Sequence, residues 1–199
     1  MGPSSENRPD LGTVQRVRAD TSRLFFALLP PPAAQDALDD LCEGLTEANW
    51  VAEEDFHLTL AFLGQLPGRL IADVVDVARG VRTPTFRLEL ESVGVFPSRG
   101  PSRVLWAGVR REQRLMSLQR VLSSELRQRG FELERRKFHP HVTLARIEDC
   151  SPLDVSDWLA RHLSFRGVGF GVFEFHLMAS SHPGHGPRYV SLGRFPLRV

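Results

Sequence analysis

Hydrophobic and polar residues alternate along this chain in blocks that predict strands and helices in succession. Short apolar runs and period-two alternation, bounded by Gly, Pro and polar residues, indicate strands. They predict strands at 24–29, 56–63, 86–91, 104–109, 141–147, 165–175, 177–180 and 188–195. Apolar residues three or four positions apart indicate helices. They predict helices at about 32–47, 69–79, 112–129 and 151–162.

The order of these elements indicates an α+β protein in which strand–helix–strand units occur twice. The helix at 112–129 has the clearest apolar stripe, and Gly130 is a typical end for it. Residues 1–22 contain scarcely any apolar periodicity, which predicts a flexible N-terminal extension. We therefore expect one folded domain at 23–199.

Composition limits the classes of function. A chain of 199 residues with 42% hydrophobic residues can form a substantial core. The 25 basic and 24 acidic residues give a net charge of +1, so any contact with nucleic acid needs a local basic patch. Such a patch could form at Arg127, Arg129, Arg135, Arg136 and Lys137, although a solvated helix end would have the same composition.

No apolar run approaches 18 residues, and the N-terminus lacks the pattern of a secretion signal. The two cysteines, Cys42 and Cys150, are too few for a disulfide framework and lie in no zinc or nucleophile motif. We expect a cytoplasmic protein with reduced thiols and no membrane partner.

The most informative feature is a short phrase that occurs twice. His57-Leu58-Thr59-Leu60 is matched by His141-Val142-Thr143-Leu144. In a strand, residues two apart share a face, so each phrase presents a His and a Thr together. Two imidazoles and two hydroxyls facing one cleft would suit acid–base chemistry on a phosphate, because one His can accept a proton while the other donates one.

The residues around both phrases resemble a known family. Phe56-His57-Leu58-Thr59-Leu60-Ala61-Phe62-Leu63-Gly64 and Phe138-His139-Pro140-His141-Val142-Thr143-Leu144-Ala145-Arg146 are similar to the two signatures of the RNA 2′,3′-cyclic phosphodiesterases, also called LigT-like or 2′-5′ RNA ligases, of the two-histidine phosphoesterase superfamily. The resemblance extends over about 23–199. One departure is Asn49, where the family pattern leads us to expect a basic residue.

The resemblance implies a bilobal fold, with two pseudo-symmetric lobes of antiparallel sheet, helices packed outside and a central cleft that carries both motifs. It implies metal-free hydrolysis of RNA 2′,3′-cyclic phosphate ends to 2′-phosphates, with 2′-5′ ligation as the reverse reaction. His57 would be the general acid and His141 the general base. The expected partner is RNA with such an end, including tRNA fragments and cyclic nucleotides, and we expect a monomer without a cofactor.

Further residues are candidates for substrate binding. Thr59 and Thr143 would donate hydrogen bonds to the non-bridging oxygens, where charge builds in the transition state. Phe25 or Phe26 could stack on the terminal base, since adjacent strand residues point to opposite faces. Arg146 could contact phosphate, but strict alternation turns it to the face of Leu144, so a structural role stays open.

Two alternatives remain. His139 and His141, two positions apart, have a spacing that metal sites also use, and His182 and His185 form a second pair, so a metal-dependent hydrolase is one rival. The other is a module that binds RNA ends without turnover. The glycines at 167–171 resemble a phosphate loop only superficially, because strand-like residues follow them, and we interpret them as a bend within a strand.

Overall fold

The computed structural model describes residues 21–96, 103–148, 150–180 and 188–198. The strands are β1 (Thr21–Leu28), β2 (Ala48–Trp50), β3 (Leu58–Pro67), β4 (Phe86–Leu88), β5 (Leu90–Phe96), β6 (Arg103–Val109), β7 (His141–Ile147), β8 (Phe170–Val172), β9 (Glu174–Ser180) and β10 (Tyr189–Pro196). The helices are α1 (Pro32–Asp39), α2 (Ile71–Gly80), α3 (Gln113–Gln128) and α4 (Pro152–Arg161).

The main sheet has the strand order β10-β9-β1-β3-β7-β6-β5, and every neighbouring pair is antiparallel. β3 and β7 meet at one residue pair only, Leu58 opposite Val142, and β2 pairs with the remainder of β7. The sheet therefore consists of two four-stranded halves joined at its centre. β4 and β8 form a separate two-stranded sheet. The predicted α+β fold with two antiparallel halves is confirmed.

Helices cover one side of each half. α2 and α3 contact each other, α3 contacts β3, and α2 contacts β10. In the other half, Trp158 of α4 packs against Trp50 of β2, with 6.2 Å between the ring centroids, and donates a hydrogen bond to the Glu43 carbonyl. The apolar stripe of α3 is fully buried at Leu115, Leu118, Leu122 and Leu126. The core thus lies between the sheet and its helices, and the opposite sheet face is left for a site.

Three sequence predictions need correction. The first helix ends at Asp39 rather than near residue 47, and Gly44 has a left-handed backbone with φ of +79°. The strand β2, which was not predicted, begins directly after that range, at Ala48. The strand predicted at 165–175 starts only at Phe170: Gly167 and Gly169 precede it, and a Cβ at Gly167 would lie 2.9 Å from Cβ of Leu90. These glycines allow a close backbone approach before the strand rather than a bend within it.

Several predictions concern residues outside the described ranges. The proposed flexible extension falls there up to residue 20, whereas Thr21 and Ser22 already belong to β1. The pair His182 and His185 also lies outside. Within the described ranges, none of the helices combines the length and the hydrophobicity that crossing a bilayer requires.

Candidate active site

The two motifs lie at the centre of the sheet, where its halves meet. Leu58 and Val142 are buried, whereas the histidine and threonine on either side of each are half-buried. The four polar side chains therefore share the sheet face opposite to the core. The sequence prediction that each strand presents a His and a Thr together agrees with this burial pattern.

The antiparallel register brings the two motifs into contact. Because Leu58 lies opposite Val142, the residue before Leu58 is adjacent to the residue after Val142. His57 is thus beside Thr143, and His141 is beside Thr59. Each imidazole has the hydroxyl of the other motif as a neighbour, which is the arrangement expected of one site built from both halves.

Both imidazoles are held by the same kind of hydrogen bond. Nδ1 of His57 lies 2.7 Å from the carbonyl oxygen of Asp55, and Nδ1 of His141 lies 2.7 Å from the carbonyl oxygen of His139. A carbonyl oxygen can only accept, so each Nδ1 carries a proton. Nε2 of each ring is then the atom that can exchange a proton with a substrate.

Burial lowers the pKa of both histidines, because it disfavours the charged imidazolium. For His57, the hydrogen bond to the Asp55 carbonyl and the negative charge of Asp55 act in the opposite direction, and His141 lowers the pKa further. For His141, the hydrogen bond to the His139 carbonyl raises the pKa and the His139 imidazole lowers it. Each ring therefore gives up its proton more readily than a free imidazole does.

Aromatic rings surround each histidine. The ring centroids of Phe25 and Tyr189 each lie 4.9 Å from that of His57. The Phe96 ring lies 4.8 Å from His141 in an edge-on orientation, and Trp106 extends this wall, 5.2 Å from Phe96. Rigid apolar rings restrict the motion of the imidazoles and exclude water from them.

A backbone bulge corrects the expected direction of Arg146. In β7, Ala145 pairs with Leu105 but Thr143 pairs with Trp106, so Leu144 is an extra residue. Leu144 and Ala145 are both buried, and Arg146 is exposed on the face of Thr143. Strict alternation would have turned Arg146 away. Its neighbour across β2 is Asn49, the position where a basic residue was expected.

The first motif contains the same bulge. Ala61 pairs with Phe26 and Thr59 pairs with Ala27, so Leu60 is the extra residue. Phe62 then occupies the position that Arg146 has in the second motif, and its side chain is 50% exposed. Sequence reasoning missed Phe62, although it follows Thr59 by the same three positions as Arg146 follows Thr143.

Phe25 has a different place from the one expected. It does lie on the face of His57, as Phe26 lies in the core, but its ring is only 2% exposed. A ring with so little exposed surface cannot stack on a base. Phe25 instead packs against the His57 ring. Tyr189 and Phe62, both in contact with Phe25, are the aromatic residues that border the cleft, with ring centroids 5.1 and 5.9 Å from it.

The other candidate groups have different surroundings. The basic residues of the predicted patch are exposed on α3 and on the segment between α3 and β7. His162 bonds to the Trp158 carbonyl, and the buried His176 lies 3.1 Å from Ser191 Oγ and 3.3 Å from Glu174 Oε1. No group of three His, Cys, Asp or Glu side chains suitable for a metal ion occurs in the part of the chain that the structure describes.

Comparisons with known proteins agree with this geometry. The family model described as LigT like Phosphoesterase matches residues 28–106 and 108–189. A Thermotoga maritima protein named RNA 2′,3′-cyclic phosphodiesterase is 33% identical over 80% of this chain and 84% of its own length. A Geobacillus stearothermophilus protein of the same name is 32% identical over 88% of this chain, which spans 57% of that relative's length.

Solved structures give the same result. Escherichia coli LigT in its apo form has a TM-score of 0.74 and 29% identity, with 91% of this chain and 100% of that chain covered. Its complex with 3′-AMP has a TM-score of 0.72 and 29% identity, with 89% and 98% covered. The family model extends across both His-x-Thr motifs and the fold matches over nearly its whole length, and the chain therefore belongs to the LigT like Phosphoesterase family.

Proposed function

We propose that this protein hydrolyses 2′,3′-cyclic phosphates at RNA ends and leaves a 2′-phosphate. The observation that carries this proposal is the pair of equivalent imidazoles, each with Nδ1 fixed by a backbone carbonyl and Nε2 free to exchange a proton. Opening a cyclic phosphate needs a base for the attacking water and an acid for the leaving ribose oxygen. Two histidines in one cleft supply both. The names of the related phosphodiesterases support the choice of substrate.

In the proposed reaction, Nε2 of His141 takes a proton from water as the water oxygen bonds to phosphorus. The bond from phosphorus to the 3′ oxygen breaks, and Nε2 of protonated His57 gives its proton to that oxygen. The product carries a 3′-hydroxyl and a 2′-phosphate. The reverse reaction with an RNA 5′-hydroxyl in place of water would form a 2′-5′ linkage, but water is the more abundant nucleophile.

Thr59, Thr143 and Arg146 are proposed to bind the phosphate. The two hydroxyls flank the histidines across the β3–β7 pair, where they can donate to the non-bridging oxygens. The bulge at Leu144 brings the Arg146 guanidinium to the same face, and a guanidinium binds phosphate oxygens with two parallel hydrogen bonds. No metal ion or cofactor is needed for these steps.

The nucleobase is proposed to stack on Phe62 or Tyr189. Phe62 is half exposed and both rings border the cleft next to the buried Phe25. Stacking on an aromatic ring tolerates any base, because every base has a π face. The exposed basic residues before His141, among them Arg135 and Lys137, could guide an RNA end toward this surface.

The test is turnover of an RNA oligonucleotide with a 2′,3′-cyclic phosphate end, with a chelator in excess. The intact protein is compared with His57→Ala and His141→Ala, and with His162→Ala, which removes an imidazole outside the cleft. We expect a 2′-phosphate product from the intact protein and from His162→Ala only. No turnover by folded intact protein would favour an end-binding module, and activity that requires added zinc would favour a metal-dependent hydrolase.

A further inference from the structure

The position two residues before each cleft histidine carries different side chains in the two motifs. It is Asp55 before His57 and His139 before His141. In both motifs the backbone carbonyl of this residue accepts the hydrogen bond from Nδ1 of the histidine. The backbone role is thus the same in both halves, and only the side chain, a carboxyl or an imidazole, distinguishes them.

Asp55 is buried in a way that does not favour stability. The residue is 9% exposed, and its Oδ1 has no hydrogen-bond partner within the described part of the chain. A buried carboxylate oxygen without a partner lowers the free energy of unfolding, by about 1 to 3 kcal/mol for a polar group. Its two neighbours in the same short 3₁₀ helix, Glu53 and Glu54, are exposed. A carboxyl at this one buried position therefore needs a reason other than folding.

His139 has contrasting surroundings. It is exposed, and its ring lies 5.3 Å from Phe96, 5.0 Å from Trp106 and 6.3 Å from His141, measured between ring centroids. These contacts keep the His139 imidazole near that of His141. The second motif thus has a group that can only be neutral or positive where the first motif has a carboxyl.

The two side chains act on the histidines with opposite sign. The charge of Asp55 favours the imidazolium form of His57 and raises its pKa against the effect of burial. The His139 imidazole disfavours the imidazolium form of His141 and lowers its pKa. The other groups that face His57 are His141, which lowers the pKa, and the rings of Phe25 and Tyr189. His141 is otherwise faced by the uncharged rings of Phe96 and Trp106.

We propose that Asp55 and His139 are positioning residues that make His57 the proton donor and His141 the proton acceptor. Asp55 favours the proton-donating form of His57, and His139 disfavours that form of His141. This inference rests on the proposed function, since it explains which imidazole is acid and which is base. Neither residue touches the reacting atoms; each acts through the histidine two positions further on.

The direct test is an NMR titration of the histidine rings in the intact protein, in Asp55→Asn and in Glu54→Gln. Asn keeps the size of the side chain and the backbone carbonyl but removes the charge. We expect the pKa of His57 to fall in Asp55→Asn and to stay unchanged in Glu54→Gln, whose exposed carboxyl is the matched control. Equal His57 titration in all three proteins would overturn the proposal.

The second measurement is the pH dependence of kcat/KM on a cyclic phosphate substrate. Asp55→Asn should move the alkaline limb, where the acid loses its proton, to lower pH, and each pH unit of displacement corresponds to about tenfold in rate there. His139→Gln should move the acidic limb to higher pH, because the pKa of His141 rises. The exposed position of His139 makes this variant independent of any folding defect in Asp55→Asn.

Failure of the proposed function would look different. If the intact protein had no turnover, the ring titrations would still report whether Asp55 and His139 act on their histidines. Turnover could be normal while neither limb of the pH profile moved in Asp55→Asn and His139→Gln. The phosphodiesterase function would then stand, and the roles proposed for Asp55 and His139 would be wrong. A uniform loss of rate at every pH would indicate a merely structural role and would also contradict the proposal.

Discussion

The two halves of the cleft have nearly the same backbone and different side chains. Both motifs fix Nδ1 of a histidine with a carbonyl two residues earlier, and both have a bulge directly after the threonine. After the bulge, one half presents Phe62 and the other presents Arg146. The repeated features are those that the proposed proton transfer needs. The divergent ones are the residues that we propose to bind the base and the phosphate.

The walls of the cleft differ as well. The residue opposite Thr59 is Ala27, whereas the residue opposite Thr143 is Trp106. The large Trp106 ring lies over Gly94, where a Cβ would approach it to 2.1 Å. The partner of Thr143 is thus a large indole, whereas the partner of Thr59 is a small, fully buried side chain.

The largest expected effects come from removing either histidine. His57→Ala and His141→Ala should each lower kcat on a cyclic phosphate by about 10² to 10⁴, the usual contribution of a general acid or base. The two should diverge on an aryl phosphodiester such as bis(p-nitrophenyl) phosphate, because p-nitrophenolate leaves without a proton. On this substrate the rate of His57→Ala should therefore approach that of the intact protein, whereas the rate of His141→Ala should remain far below it.

This comparison is read from initial rates on both substrates at one pH, with folding checked by circular dichroism. Equal recovery in both variants would mean that the acid and base roles are not divided between the halves. Recovery of His141→Ala alone would reverse the assignment.

The next largest effects concern the two hydroxyls. Thr59→Val and Thr143→Val keep the side-chain shape and remove a donor to the phosphate, so each should lower kcat by about ten- to hundredfold, less than loss of a histidine. KM should change little, because charge on the non-bridging oxygens builds mainly in the transition state. A rise in KM at constant kcat in either variant would instead indicate a role in ground-state binding.

The sequence predicts most of this site because the motif is repeated. The pairing of a histidine with a threonine on one face follows from the period of a strand, and the α+β class follows from the order of the apolar blocks. The bilobal arrangement is what the resemblance implies. The resemblance supplies which histidine is acid. Asp55 could have been found by placing the two phrases side by side, since it stands where His139 stands.

The remainder depends on backbone detail that no periodicity contains. The bulges at Leu60 and Leu144 shift the alternation by one residue, so the directions of Phe62 and Arg146 could not be derived from it. Burial of Phe25 depends on the packing of Tyr189, which is more than 160 positions away in the chain. The chain leaves α1 at Asp39 and turns through Gly44, whose left-handed backbone is only one of the conformations open to glycine.

A smaller difference between the halves should appear when the residues after the bulges are changed. Phe62→Leu removes the stacking surface and should raise KM for a dinucleotide cyclic phosphate about tenfold, with kcat nearly unchanged. Arg146→Met removes a charge near the phosphate and should lower kcat as well as raise KM. The control is Val190→Ala, because Val190 is a partly exposed residue of β10 that has no role in the proposed site. A pure KM effect for both variants would mean that the two positions have one role.

The smallest expected effect is on stability, and both halves should contribute to it. Burial depresses the pKa of His57 and of His141, so the unfolded chain takes up protons at a higher pH than the folded protein. The stability that these neutral rings contribute is fully present above the unfolded pKa, about 6.5, and is lost as the pH falls through the lower folded values. Tm should therefore decrease on acidification below about pH 6.5, and less so in the His57→Ala/His141→Ala double variant. Thr59→Val/Thr143→Val, which keeps both rings, should follow the intact protein. If the double histidine variant lost Tm as steeply as the intact protein, the acid sensitivity would lie outside the cleft, and burial of the two imidazoles would carry no cost in folding.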